Sequence, residues 1–213
     1  MTESSMTETE ISEAIAAERR DLAEVLRGLP AQAWETQTLC DGWRVREVIA
    51  HMTMPFRYST PRFVAELVRS RGKFHQMADR CARRDGQVDV DELVSALKDN
   101  ATYSWKPPGG GFEGALTHDL IHGLDFTVPL RIGRRVPEER LRIVLHSITK
   151  PKPLKHFGVD LTGIELRADD IDWSFGSGTT VSGAAQDLAL LLCGRTLPPG
   201  RLRGAPGTRL TSS

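Results

Sequence analysis

The chain lacks several features that other protein classes require. No run of 18 apolar residues occurs in its 213, so no membrane-spanning helix is expected. Lys and Arg total 28 and Asp and Glu total 28, leaving a formal charge of zero. That removes the basic excess of a nucleic-acid or anionic-membrane binder, and neither partner is expected. The three cysteines, Cys40, Cys81 and Cys193, are odd in number and far apart. They do not form a disulfide framework, so a reducing cytoplasm is the expected location. The opening MTESSMTETE has no basic start and no apolar centre, and it does not read as a secretory leader. No internal repeat is present.

What remains is a folded chain, 39% hydrophobic and 26% charged, long enough for one or two domains. Its first two thirds carry helical periodicity. Ile11, Ile15, Leu22, Val25, Leu26 and Leu29 recur every three or four residues, with Glu18, Arg19 and Arg20 between them, and Gly28 and Pro30 end the segment. After the loop ETQTLCDGW, Asp41 is the expected N-cap of a helix through VREVIAHM, which Pro55 kinks or ends. Further helices are expected over residues 61–79, from about Asp91 to Trp105, through EGALTHDLIHGLDF, and from near Pro137 through Ile148. PKP at 151–153 reads as a linker.

Beyond it, LTGIELRADD and IDWSFGSG have the partial alternation of a β-hairpin. GSGTTVSG reads as a turn into the last helix, AAQDLALLLC, and not as a phosphate-binding GxGxxG loop. The reading is a mainly α protein: a helical bundle over 8–150, a small α/β C-terminal domain over 155–195, and disordered tails at 1–7 and 196–213.

Six histidines occur. His118 and His122 are four apart in a helical segment, which places both imidazoles on one face, with Cβ atoms about 6 Å apart. His51 lies on another helix. Metal sites in helical bundles are built in this way, from facing helices. The pair is not an HExxH motif, because Asp119 stands where that motif has Glu, and the spacing alone leaves a chance pairing open. His75, His146 and His156 have no ligand-like spacing. Cys40 reads as a small buried hydrophobe, Cys193 as core, Trp43 as an anchor of the helix start, and Arg131–Arg135 as a solvated basic loop.

Three strings resemble one family. TLCDGWRVREVIAHM is similar to the opening of the maleylpyruvate isomerase N-terminal family, within the DinB/YfiT-like metalloprotein superfamily, through Gly42, Trp43, Val45, Arg46 and His51. His118, His122, Leu124 and Asp125 resemble its second element, although the family's isomerases have Glu at the position of His118. IDWSFGSGTTVSGAAQDLALLLCGR is similar to its second domain. The resemblance implies a DinB-like four-helix bundle and a His51/His118/His122 metal site.

Three neutral imidazoles leave a divalent ion, best read as Zn2+, with its full charge and an open position. A ligand there loses its proton readily. The resemblance implies that this ligand is mycothiol, the cysteinyl sugar thiol of actinobacteria, whose thiolate attacks a small electrophile in a transferase or isomerase reaction. Asp125 is a candidate to orient an imidazole, and Arg195 is a candidate active-site arginine by analogy with the family's second domain. A metal-binding regulatory module and a metal-dependent hydrolase stay open as alternatives. So do monomer and homodimer.

Overall fold

The computed structural model describes residues 7–204. It divides into two compact units, Met1–Ile132 and Gly133–Ser213.

The first unit is a four-helix bundle formed by α1 (Glu8–Arg27), α2 (Val45–Arg57), α5 (Val90–Asp99) and α6 (Gly111–Thr127). Two further helices, α3 (Thr60–Arg69) and α4 (Phe74–Asp85), form an excursion between α2 and α5, with α4 packed on α2. Helix α1 starts with a reciprocal cap: the Thr7 hydroxyl accepts from the Glu10 N–H, and the Glu10 carboxylate accepts from the Thr7 N–H. Its apolar stripe, including Leu22, Ala23 and Leu26, meets Val45, Val48, Ile49 and Met52 of α2, Leu93 and Leu97 of α5, and Phe126 of α6 in one core. At Gly123 the backbones of α1 and α6 approach closely enough that a Cβ would lie 2.7 Å from Leu22 Cδ2.

The start of α2 differs from the expectation of an Asp41 cap. Gly42 takes a left-handed turn at φ 71°, and the Glu47 carboxylate reaches back to the Arg44 N–H at 2.8 Å. Pro55 sits in the last turn of the helix and does not break it. The single helix expected over 61–79 is instead two, α3 and α4, because Arg71 and Gly72 both turn to positive φ.

The second unit begins earlier than the sequence reading placed it. Helix α7 (Glu138–Ile148), assigned to the bundle by that reading, belongs to the second unit and packs on α9 (Ala185–Leu192), where its Leu141, Val144 and Leu145 are buried. PKP is not a linker: prolines suit a first helical turn, and α8 (Pro151–Phe157) starts there. The expected hairpin is present as β1 (Ile164–Ala168) paired antiparallel with β2 (Ser174–Gly176). GSGTTVSG, read as a turn, supplies β3 (Thr179–Gly183), which runs parallel to β1.

The C-terminal tail also needs correction. Leu197 is fully buried, and β4 (Leu202–Arg203) pairs antiparallel with β3, giving the sheet order β2-β1-β3-β4. Gly183 permits this pairing, since a Cβ there would meet the Arg201 carbonyl at 2.8 Å. At the other end, Thr7 caps α1. The rest of the two predicted disordered tails, residues 1–6 and 205–213, lies outside the described residues.

Candidate metal centre

His51 comes from the middle of α2, and His118 and His122 from successive turns of α6. The sequence-predicted trio converges. The ring centroids are 5.1 Å apart for His51–His118, 5.0 Å for His51–His122 and 4.7 Å for His118–His122. One ring nitrogen from each lies within 4.8 Å of the others, and His51 Nε2 is 3.2 Å from His118 Nε2. The group sits beneath the surface, with the His118 and His122 side chains 15% and 12% exposed.

The outer nitrogens of two of these rings face carboxylates. His118 Nδ1 is 2.9 Å from Asp119 Oδ1, and His122 Nδ1 is 2.9 Å from Asp125 Oδ2. An imidazole that donates from Nδ1 presents its Nε2 lone pair inward, as metal-ligating histidines do. Asp125, a sequence candidate, is therefore placed to orient His122.

Asp119 was considered in the sequence only as a mismatch to HExxH, and it emerges here as the partner of His118. Burial works to raise its carboxyl, but the hydrogen bond with His118 and the charge of Arg19 outweigh that and hold it below the ordinary carboxylate range. Arg19 Nε donates to Asp119 Oδ2 at 2.6 Å, and both side chains are essentially inaccessible. In the sequence Arg19 is only one of the charged residues between apolar positions. Its spacing carried a signal: it lies four residues after Ile15 and three before Leu22, on the buried stripe of α1.

The loop before α2 closes one side. Leu39 N–H donates to the Asp125 carbonyl at 2.9 Å, and Thr38 N–H to the Trp43 carbonyl at 2.9 Å. This brings the Cys40 thiol to Asp125 Oδ2 at 2.9 Å and within 3.7 Å of His122 Nδ1. Cys40 is thus a polar neighbour of the centre and not only a small hydrophobe. Cys40, His122 and Asp125 make a second cluster with metal-compatible donors, sharing His122 with the first.

Trp43 anchors α2 by donating Nε1–H to Asp79 at 2.8 Å, and its ring also lies 5.0 Å from that of His51. Trp105 meets His118 edge-on at 5.1 Å. Arg195 belongs to the second unit, where it donates to the Cys193 carbonyl at 2.9 Å.

The geometry has relatives. Residues 15–103 match the family described as mycothiol maleylpyruvate isomerase N-terminal domain. The match covers less than half of the chain. It spans α1 to α5 and contains His51 and Cys40 from the site, while His118 and His122 lie beyond it. The chain is also similar in structure to the crystal structure of a mycothiol-dependent maleylpyruvate isomerase, with a TM-score of 0.60 at 13% identity, covering 95% of this chain and 94% of that one. A histidine-to-alanine variant of that isomerase matches equally well. The shared feature at this identity is the fold, a helical bundle with a small C-terminal α/β unit. No curated protein matches the chain.

Proposed function

We propose that the protein is a metal-dependent enzyme that uses mycothiol to attack a small electrophile, as a transferase or an isomerase. The observation that carries this reading is the convergence of His51, His118 and His122 at one place in the bundle, with His51 Nε2 3.2 Å from His118 Nε2. Two nitrogens bound at about 2.0–2.1 Å to one tetrahedral ion lie about 3.3 Å apart, so the separation of this pair is compatible with two ligands of one such ion. The family of residues 15–103 supports the choice of thiol.

His51, His118 and His122 would hold the ion, for which Zn2+ suits an all-imidazole set. When bound it would supply a Lewis acid that favours the deprotonated form of an incoming thiol near neutral pH. The chain's own residues do the rest. Asp119 and Asp125 fix the rings of His118 and His122 through their Nδ1 atoms. The rings of Trp43 and Trp105 flank the centre, packed against His51 and His118.

The ligand set carries no formal charge, and the nearest negative charges stand one hydrogen bond further out. Arg19 neutralises one of these, Asp119, so Asp125 is the carboxylate placed to make its histidine, His122, the more electron-rich donor.

The test is a titration of mycothiol into the cobalt-loaded protein. A sulfur-to-cobalt charge-transfer band is expected. A protein that holds one cobalt per chain yet gives no such band overturns the thiol reading and favours water at the open position. His118→Ala is expected to abolish stoichiometric metal binding, and unchanged metal content would overturn the ligand assignment.

A further inference from the structure

We infer that Arg19 and Asp119 are positioning residues that hold His118 in the Nδ1–H tautomer and so present its Nε2 to the centre. The inference rests on the metal-site reading above for its purpose, though not for its geometry. Asp119 is 1% exposed and uses its two oxygens separately. Oδ1 faces His118 Nδ1 at 2.9 Å, and Oδ2 accepts from Arg19 Nε at 2.6 Å. A carboxylate accepts and does not donate, so the proton between Asp119 and His118 belongs to Nδ1.

Arg19 acts on His118 from a second direction as well. Its Nη1 donates to the carbonyls of Tyr103 at 2.8 Å and of Asn100 and Ala101 at 3.3 Å each. Those carbonyls belong to the segment that leads into Trp105, whose ring meets His118. The guanidinium also lies over the Phe56 ring, 4.8 Å from its centroid, and Phe56 meets Tyr103 edge-on at 5.6 Å. One fully buried cation therefore fixes both the hydrogen-bond partner of His118 and the chain that carries the aromatic ring packed against it.

This arrangement makes Asp119→Asn informative. An asparagine has one acceptor oxygen where two are needed. The cationic Arg19 takes that oxygen, because a hydrogen bond to a charged donor is the stronger. The amide NH2 is then turned towards His118 Nδ1, which must become an acceptor, and the ring proton moves to Nε2, the atom required inside the centre.

The experiment is a long-range nitrogen–proton correlation spectrum of the imidazoles in metal-free protein at about pH 8, above the ordinary histidine range. Zinc titration of the same samples accompanies it. Wild-type His118 is expected as Nδ1–H. Asp119→Asn is expected as Nε2–H, with zinc affinity about 10–100-fold weaker. A purely structural role would lower thermal stability and leave the tautomer alone.

Nε2–H in the wild type overturns the inference whether or not the variant folds, and so does a folded variant that keeps Nδ1–H and wild-type zinc affinity. Wild-type protein with the expected tautomer but no zinc binding would overturn the metal reading and leave the tautomer assignment standing.

Discussion

His51 and His118 approach each other nitrogen to nitrogen, Nε2 to Nε2 at 3.2 Å, from two different helices. Metal-free, the contact holds only if one of the two nitrogens carries a proton and the other accepts it. Bound to one ion, both could offer lone pairs. Zinc is therefore expected to stabilise the native state by mass action, by about 2.7 kcal/mol at free zinc a hundredfold above its dissociation constant. Thermal unfolding with and without zinc measures this. The increment should vanish in His51→Ala and in His118→Ala, and its persistence in either would show that the zinc acts elsewhere.

Asp125 Oδ2 serves two groups at once, His122 Nδ1 and the Cys40 thiol, each at 2.9 Å. The carboxylate is the part that matters to a ligand histidine, and the thiol only assists it. Asp125→Ala is expected to weaken zinc binding about 10–100-fold. Cys40→Ala is expected to change it by less than about tenfold, and Cys40→Ser, which keeps a donor, by less still. Competition with a chromophoric zinc chelator ranks the three. A larger loss in Cys40→Ala than in Asp125→Ala would reverse the assigned roles.

Carboxylates buried among arginines tie α4 to α2 and α3 to α4. Asp85 accepts from Arg57 at 3.0 Å, Tyr58 at 2.8 Å and Arg84 at 2.8 Å. Glu66 accepts from Arg80 and Arg84, each at 2.6 Å. Burial opposes ionisation of Asp85, but the hydrogen bonds from Arg84 and Tyr58 and the charge of Arg57 outweigh it and hold its carboxyl low. The hydrogen bond from Arg84 does the same for Glu66.

A carboxyl lowered on folding stabilises the native state at pH above its unfolded value, about 4. That contribution is lost as the pH falls through the lower folded value. Urea midpoints should therefore drop between neutral pH and about pH 3. Asp85→Asn should cost about 1–3 kcal/mol at neutral pH and flatten the acid dependence. An equally steep dependence in the variant would place the acid-sensitive group elsewhere.

How far the site could be read from the sequence follows from its physics. His118 and His122 were legible because helical spacing alone puts them on one face, and His51 because its string resembles the family's. Asp119 and Arg19 were not, because their partnership joins positions 100 residues apart and leaves only a buried-stripe position as a trace. Cys40 reads as apolar in the sequence because a thiol's one weak donor shows its use only when its partner is placed.

The same limit explains the fold errors. The periodicity of α7 marks a buried face without naming what covers it, and α9 covers it. Strand β3 is short and Gly-flanked, so it reads as a turn until β1 lies alongside as a parallel partner.

Gly123 gives the most direct test of how the bundle is closed around the centre. It follows His122, and it stands where a Cβ would lie 2.7 Å from Leu22 Cδ2 and 3.1 Å from Cδ1. Two effects oppose each other in Gly123→Ala. Alanine is favoured over glycine in a helix interior by about 1 kcal/mol. Overpacking a filled core costs about 1–3 kcal/mol, and Leu22 is fully buried. The overpacking term is the larger, so Gly123→Ala should destabilise.

Leu22→Ala removes the obstructing methyl groups and, as a cavity-forming change, should itself cost about 2–5 kcal/mol. In that background the clash is gone, the helix preference acts alone, and Gly123→Ala should become stabilising. Denaturant unfolding of the two single variants and the double variant reads the change of sign. If Gly123→Ala destabilises equally in both backgrounds, the close approach of α1 to α6 at Leu22 is not what requires glycine at this position.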